Sequence, residues 1–163
     1  MENLEDLLEN ELKDLYAAEK LLLDAIPEMQ EAATHKKLKR LFGKHLQETE
    51  KHLERIQKIC ALLEINPGST KCKMLQEVVY EGENCIKNID NAEILDSALA
   101  ACAKKMEHYE VAVYETAYRY AKELKMKKVK KLLRKNLEDE LKAMQKLEKL
   151  ARKKLIPNSL QSE

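Results

Sequence analysis

Seven residues of this chain combine side chains that bind metal with positions where a helical pattern wants apolar ones. They are Glu19, His45, Glu48, His52, Glu107, Glu110 and Glu140. A carboxylate or imidazole in a core slot is costly unless something compensates it. Imidazole with carboxylate suits iron, manganese or zinc. Carboxylates shared between two such ions, with a position left open for oxygen or peroxide, give redox chemistry when the metal is iron or manganese. The residue most exposed to the bland reading is His108, which sits beside Lys104 and Lys105 and reads as structural.

The elements that must carry these groups are helices. The first stripe reads Leu4, Leu8, Leu12, Leu15, Glu19, Leu22, Ile26, in steps of three and four. Pro27 falls inside this pattern, and Met29, Ala32 and Ala33 continue it, so a kink is expected there rather than an end. The second stripe reads Leu38, Leu41 or Phe42, His45, Glu48 or Thr49, His52, Ile56, Ile59, Leu63, and stops at Asn66-Pro67-Gly68-Ser69. Residues 70–90 predict a shorter helix carrying Met74, Val78, Val79 and Ile86, with Gly82 as its weak point. A third long stripe, from about Ala92 to Leu124, includes Ala100, Ala103, Glu107, Glu110, Tyr114 and Ala117. A fourth, from about Lys127 to Leu155, includes Val129, Leu133, Glu140, Leu147 and Ala151. Pro157 is expected to close it, giving one domain over 1–157 and a frayed tail over 158–163.

These elements predict an all-α fold: a ferritin-like four-helix bundle with a long crossover carrying a fifth, short helix. The connection between the second and third long helices is far longer than a hairpin needs, which favours one crossover over a simple up-and-down bundle.

Turn symmetry then sets the heights. Residues equidistant from an antiparallel turn lie level with each other. Glu19 and Glu48 are centred between residues 33 and 34, at the first expected turn, and Glu107 and Glu140 between 123 and 124, at the second. Each acid lies roughly 22–25 Å along its helix from its turn, so one layer can hold all four. Glu110 and His52 follow one turn from Glu107 and Glu48. Such a layer needs positive charge, and Lys and Arg sit mostly off these stripes. A pair of divalent metal ions is the stronger explanation and a buried ion-pair network the weaker. His45, on the same stripe but two turns from His52, reads as a supporting residue.

Composition agrees. Charged residues make up 36% and aromatics 4%, with three Gly, three Pro, one Phe and no Trp. The net charge of +1 offers no footprint for nucleic acid or a membrane surface, and the lysine-rich stretch Lys127–Lys131 reads as a solvated face. No apolar run approaches the ~20 residues of a membrane span, and the acidic start is no signal peptide. A cytoplasmic protein is the expectation. Cys60, Cys72, Cys85 and Cys102 form no C-x-x-C pair and read as reduced thiols, with a Cys60–Cys72 bridge across the Pro67-Gly68 turn as the alternative.

Four segments carry a resemblance: Asp14-Leu15-Tyr16-Ala17-Ala18-Glu19, His45-Leu46-Gln47-Glu48-Thr49-Glu50-Lys51-His52, Glu107-His108-Tyr109-Glu110 and Leu137-Glu138-Asp139-Glu140. In this order they resemble the YciF family of ferritin-like bacterial proteins, over about residues 3–152. The resemblance implies homodimers, an association with stress responses, and a di-metal site similar to that of rubrerythrin. It carries Glu19, Glu48, His52, Glu107, Glu110 and Glu140 over as ligands of two divalent metals, iron foremost, with manganese or zinc as alternatives. An unidentified electron donor would accompany an oxidase or peroxidase. One departure stands out: Met144 occupies a place where related di-iron bundles put His or an acid. The second metal is then expected to lean on Glu107, Glu110 and Glu140 without an imidazole. The competing readings are a non-catalytic helical dimer with a relic of the site, and iron storage in a large cage.

Overall fold

A computed structural model describes residues 1–68 and 70–154, the last two by backbone alone. Leu155, Pro157 and the tail 158–163 lie outside the described residues. The elements are α1 (Leu4–Ala32), α2 (Lys36–Leu62), α3 (Lys73–Asn88), α4 (Ala92–Glu123) and α5 (Lys127–Lys154).

Local chemistry sets the ends. The Asn3 side chain accepts from the Asp6 N–H at 2.8 Å and starts α1. Asn91 does the same for α4, accepting from the N–H groups of Glu93 and Ile94. α1 runs through Pro27 without ending. Two helices stop on a non-glycine residue with positive φ, Glu64 after α2 and Lys125 after α4. In each case the next N–H reaches back to a carbonyl of the last turn, Ile65 to Cys60 and Met126 to Ala121, as a left-handed cap requires.

α1 packs on α2 and α4, and α5 packs on α2 and α4, so the four long helices close into a ring. α1 and α2 form one antiparallel hairpin, and α4 and α5 the other. The crossover carries α3, which lies against α4 and α1, and returns the chain to the α1–α2 turn. Asp96, in the second turn of α4, fixes that return. Its buried carboxylate accepts from Thr34 N–H (2.7 Å), Thr34 Oγ1 (2.6 Å) and His35 N–H (2.9 Å). This is the expected one-crossover bundle, with turns where symmetry put them.

α3 differs from its expected face. The difference is at Met74, which is exposed while Leu75 is buried; Val79, Val78 and Ile86 pack against the core as expected, with Gly82 between. Gly82 is there for closeness: a Cβ would stand 2.3 Å from Met29 Cε. All four cysteines are free thiols, so Cys60 and Cys72 are not bridged. Among the described residues, no helix is long and apolar enough to cross a membrane.

The core splits in two along the bundle axis. One half gathers Leu22, Ile26, Met29, Leu38, Phe42, Leu99 and Met106 at the α1–α2 turn end. The other gathers Leu8, Leu12, Leu15, Ile56, Ile59, Val129 and Leu133 at the α4–α5 turn end. The layer between them is polar.

Candidate metal centre

Helix α2 supplies this layer with histidines. Its buried row runs Leu38, Phe42, His45, Thr49, His52, Ile56, Ile59, alternating steps of four and three. That puts Thr49, not Glu48, on the centre of the face. Glu48 falls to one side, half-buried, where the Lys44 ammonium holds it at 2.5 Å. Glu48 therefore does not join the layer, contrary to expectation. His45 does.

The polar layer contains two groups of three. The first is Glu19 from α1, His52 from α2 and Glu140 from α5. The second is His45 from α2 with Glu107 and Glu110 from α4. All six are buried. In each group one ligand atom per residue lies within 4.8 Å of the others. Two atoms each about 2.1 Å from a shared ion are at most about 4.2 Å apart, so each group closes on an ion with sub-ångström adjustment. Of the expected ligands, Glu19, His52, Glu107, Glu110 and Glu140 are brought into the layer. The second group has an imidazole after all: His45 provides it from α2, and Met144 stays half-buried outside both groups. Glu140 sides with the first group rather than the second.

Internal contacts leave much of the layer's bonding capacity unused. His45 Nδ1 meets Glu107 Oε1 at 2.7 Å, and His45 Nε2 lies 3.4 Å from Glu110 Oε2. His52 Nδ1 lies 2.7 Å from Glu140 Oε1 and 3.4 Å from Glu19 Oε1. The Nδ1–Glu140 contact is close but poorly directed, and neither atom has an aligned hydrogen-bond partner among the described residues. Eight buried oxygen and nitrogen atoms of these six residues are in that position. Orphaned polar atoms of this kind cost free energy unless a ligand takes them up. Here they are carboxylate oxygens and ring nitrogens, a set that suits a divalent transition metal. The charges agree, since four carboxylates with two neutral imidazoles balance two divalent ions.

Without metal the layer must hold protons. Burial drives the pKa of Glu110 well above the usual carboxylate range, and the charges of Glu140 and Glu19 push it further. Burial likewise raises Glu19 and Glu140, against the pull of His52. Burial opposes charge on His52, but the carboxylates of Glu140 and Glu19 outweigh it and push its pKa up to about 11. His45 is also raised, with Glu107 and Glu110 overcoming its burial. Both groups lie in the polar layer between the two halves of the core.

A supporting shell that sequence reading missed holds the first group. Arg55 Nη1 donates to Asn136 Oδ1 (2.8 Å) and Asp139 Oδ2 (3.1 Å). Asn136 Nδ2 donates to Tyr114 Oη (3.0 Å), and the Tyr114 hydroxyl donates to Glu19 Oε1. Asp139 Oδ2 lies 3.5 Å from His52 Nε2. One arginine thus steadies Glu19 through one branch and, through the other, holds a carboxylate beside His52 Nε2 without an aligned hydrogen bond to it. Burial works against ionisation of Asp139, but the Arg55 guanidinium and His52 hold its carboxyl below the usual value. The signal was present in Leu137-Glu138-Asp139-Glu140, where Asp139 precedes Glu140. Asn136 was visible as a polar residue on the α5 stripe.

His108, Tyr16 and Tyr109, from the matching segments, belong to neither group. His108 is exposed near Glu148 at 3.4 Å, as its flank suggested. Tyr16 sits under Lys20, and the Tyr109 hydroxyl donates to Asp14 and accepts from Cys72 Sγ.

Comparison with known proteins agrees with this architecture. Protein YciF of Escherichia coli K12 is 35% identical over 141 residues, 86% of this chain and 85% of YciF. The crystal structure of the E. coli stress protein YciF superposes with a TM-score of 0.88, covering 93% of this chain and 96% of that one. YcfI from Rhodopseudomonas palustris is 34% identical with a TM-score of 0.86, covering 91% and 94%. A Xanthomonas campestris protein at 20% identity and a TM-score of 0.72, covering 90% and 89%, shares the fold. Residues 3–159 match DUF892, a domain of unknown function, and the chain belongs to that family, with YciF as a relative along most of its length.

Proposed function

We propose that Glu19, His52 and Glu140 hold one divalent metal ion and that His45, Glu107 and Glu110 hold a second, with iron foremost and manganese or zinc as alternatives. The observation that carries this reading is the pair of adjacent buried His–carboxylate groups with eight unpartnered ligand atoms. Iron or manganese bound there would supply one-electron redox chemistry at each position. The protein's own residues set its terms. The apolar layers above and below exclude water. Arg55, Asn136 and Asp139 fix the first group's geometry. Tyr114 keeps a hydroxyl proton directed at Glu19 Oε1.

The function this supports is oxidation of Fe(II), or reduction of peroxide or oxygen, in defence against oxidative stress. Reducing one hydrogen peroxide to two waters takes two electrons and two protons. Two one-electron centres match the electrons, and a donor outside this chain would restore them. The resemblance extends the proposal to a homodimer, which a sizing experiment tests.

The decisive measurement is metal content after aerobic, iron-replete preparation, followed by peroxide consumption in the wild type and in Glu140→Ala. About two ions per chain and a loss of consumption in the variant are expected. Absence of stoichiometric metal would sink the proposal.

A further inference from the structure

Beside the second group lies a pocket between α2, α4 and α5. Its inner end is formed by His45 and Glu107, both buried. Its walls are apolar, with Leu41, Phe42, Ala143 and Leu147 among them. Its outer end is charged: Lys44 and Lys146 are exposed, with Glu48 half-buried between them and the core. The space open to the centre of a water-sized molecule is about 20 Å³. That is room for about one such molecule, and too little for a branched organic one. It reaches two residues of the polar layer, His45 and Glu107, both of the second group. Glu19 and His52 are sealed behind Tyr114 and Asn136, both fully buried.

We propose that this pocket is the way in for the oxidant, that it leads to the His45 side of the centre, and that it admits uncharged molecules of water or diatomic size while excluding organic hydroperoxides. The inference rests on the metal reading above and adds the route and the substrate class.

The electrostatics favour a neutral visitor. Glu48 is tied to Lys44 at 2.5 Å, and the Lys44 ammonium lies against that of Lys146, which holds Lys146 below the usual lysine value. Two ammoniums and one carboxylate leave the mouth with a positive excess, which disfavours a hydrated divalent cation. The apolar walls beyond it strip hydration from any ion, a cost that an uncharged molecule avoids. Glu48 thus acts at the mouth as a positioning residue for Lys44, rather than in the layer as a ligand.

The variants that test this are Ala143→Phe, which fills the pocket, and Lys146→Trp, which covers its mouth from an exposed position. Metal content and melting temperature of both are measured first; metal content is expected to match the wild type in both, and Ala143→Phe is expected to melt a few degrees lower because its ring exceeds the space. Crystals of metal-free protein pressurised with krypton should show the gas in the pocket, with no peak there in Ala143→Phe. In Fe(II)-loaded protein, nitric oxide serves as an uncharged diatomic probe. Its association rate should fall at least tenfold in Ala143→Phe and severalfold in Lys146→Trp. Wild-type protein should consume hydrogen peroxide at least a hundredfold faster than tert-butyl hydroperoxide. Unchanged nitric oxide rates in both variants at full metal content overturn the route, and equal rates with the two peroxides overturn the size limit. A chain that takes up no metal fails the earlier proposal instead, while the krypton result still decides whether the pocket admits a small neutral guest.

Discussion

The sharpest test of the metal reading is a change of sign. Glu110 is 0% exposed, and neither of its carboxylate oxygens has a hydrogen-bond partner among the described residues. In metal-free protein it is a burden, because burial and the nearby Glu140 and Glu19 charges both oppose its ionised form. Replacing it with leucine removes a buried polar group at similar volume. A buried polar group left without a hydrogen-bond partner costs about 1–3 kcal/mol, so its removal is expected to return about 2 kcal/mol. At ~2–4 °C per kcal/mol for a chain of this size, Glu110→Leu should melt about 4–8 °C above wild type in EDTA. With metal the order reverses. At a free-ion concentration a thousandfold above Kd, each bound ion adds about 4.1 kcal/mol to the folded state. The wild type gains this twice and the variant once, since its second group has lost a ligand. The variant should then melt about 4–8 °C below wild type. Calorimetric melting of both proteins, with EDTA and with saturating Mn(II), measures the two differences. If Glu110→Leu melts below wild type in EDTA, the buried carboxyl is a net stabiliser of the metal-free fold and the burden assigned to it is refuted. If metal moves both proteins equally, the layer is not where metal binds.

Three further outcomes follow from the same geometry. His45→Ala should reduce bound metal from about two ions to about one per chain, whereas Glu48→Ala should leave metal content unchanged, as elemental analysis after reconstitution will show. The metal-free protein should lose stability as pH rises from 6.5 towards 11. His52 is protonated in the fold up to about 11, whereas in the unfolded chain it deprotonates near 6.5, so its contribution is complete below 6.5 and fades through 11. Glu19, Glu110 and Glu140, raised by burial, act in the same direction from lower pH, and melting curves across this range in EDTA check the sign. Asp96→Ala should cost about 2–4 kcal/mol in denaturant unfolding, because it strips three donors of the α1–α2 turn of their acceptor and leaves them part-buried.

The helices and their order were legible because apolar spacing is a local property. Leu8, Leu12 and Leu15, or Ile56 and Ile59, declare a face without reference to the rest of the chain. The length of the connection after Leu63 was enough to call for a crossover. The heights of Glu19, Glu107 and Glu140 were legible for a similar reason: a turn between antiparallel helices of equal rise is a mirror. The YciF resemblance rested on the same segments, and it carried Glu48 over with the rest.

What periodicity does not resolve is direction to better than one residue. Neighbouring positions on a helix are about 100° apart, and a buried stripe is about that wide. Glu48 and Thr49 both fit the α2 stripe, and only the packing of α2 between α1 and α5 decides that Thr49 faces inward while Glu48 turns to Lys44. For the same reason His45 could be ranked below His52 from the sequence, although it meets Glu107 at 2.7 Å. The Met144 departure suggested a missing imidazole, because the expected ligand sits on α5. The bundle supplies one from α2 instead, and distance across a core cannot be read along a chain. The sequence by itself determined four long amphipathic helices, one crossover and a level band of acids. Only the tertiary structure decided how that band divides into two groups, which histidine serves each, and that Arg55, Asn136 and Asp139 stand behind one of them. Spacing within a helix is set by backbone geometry, whereas contact between helices is set by how their side chains share space.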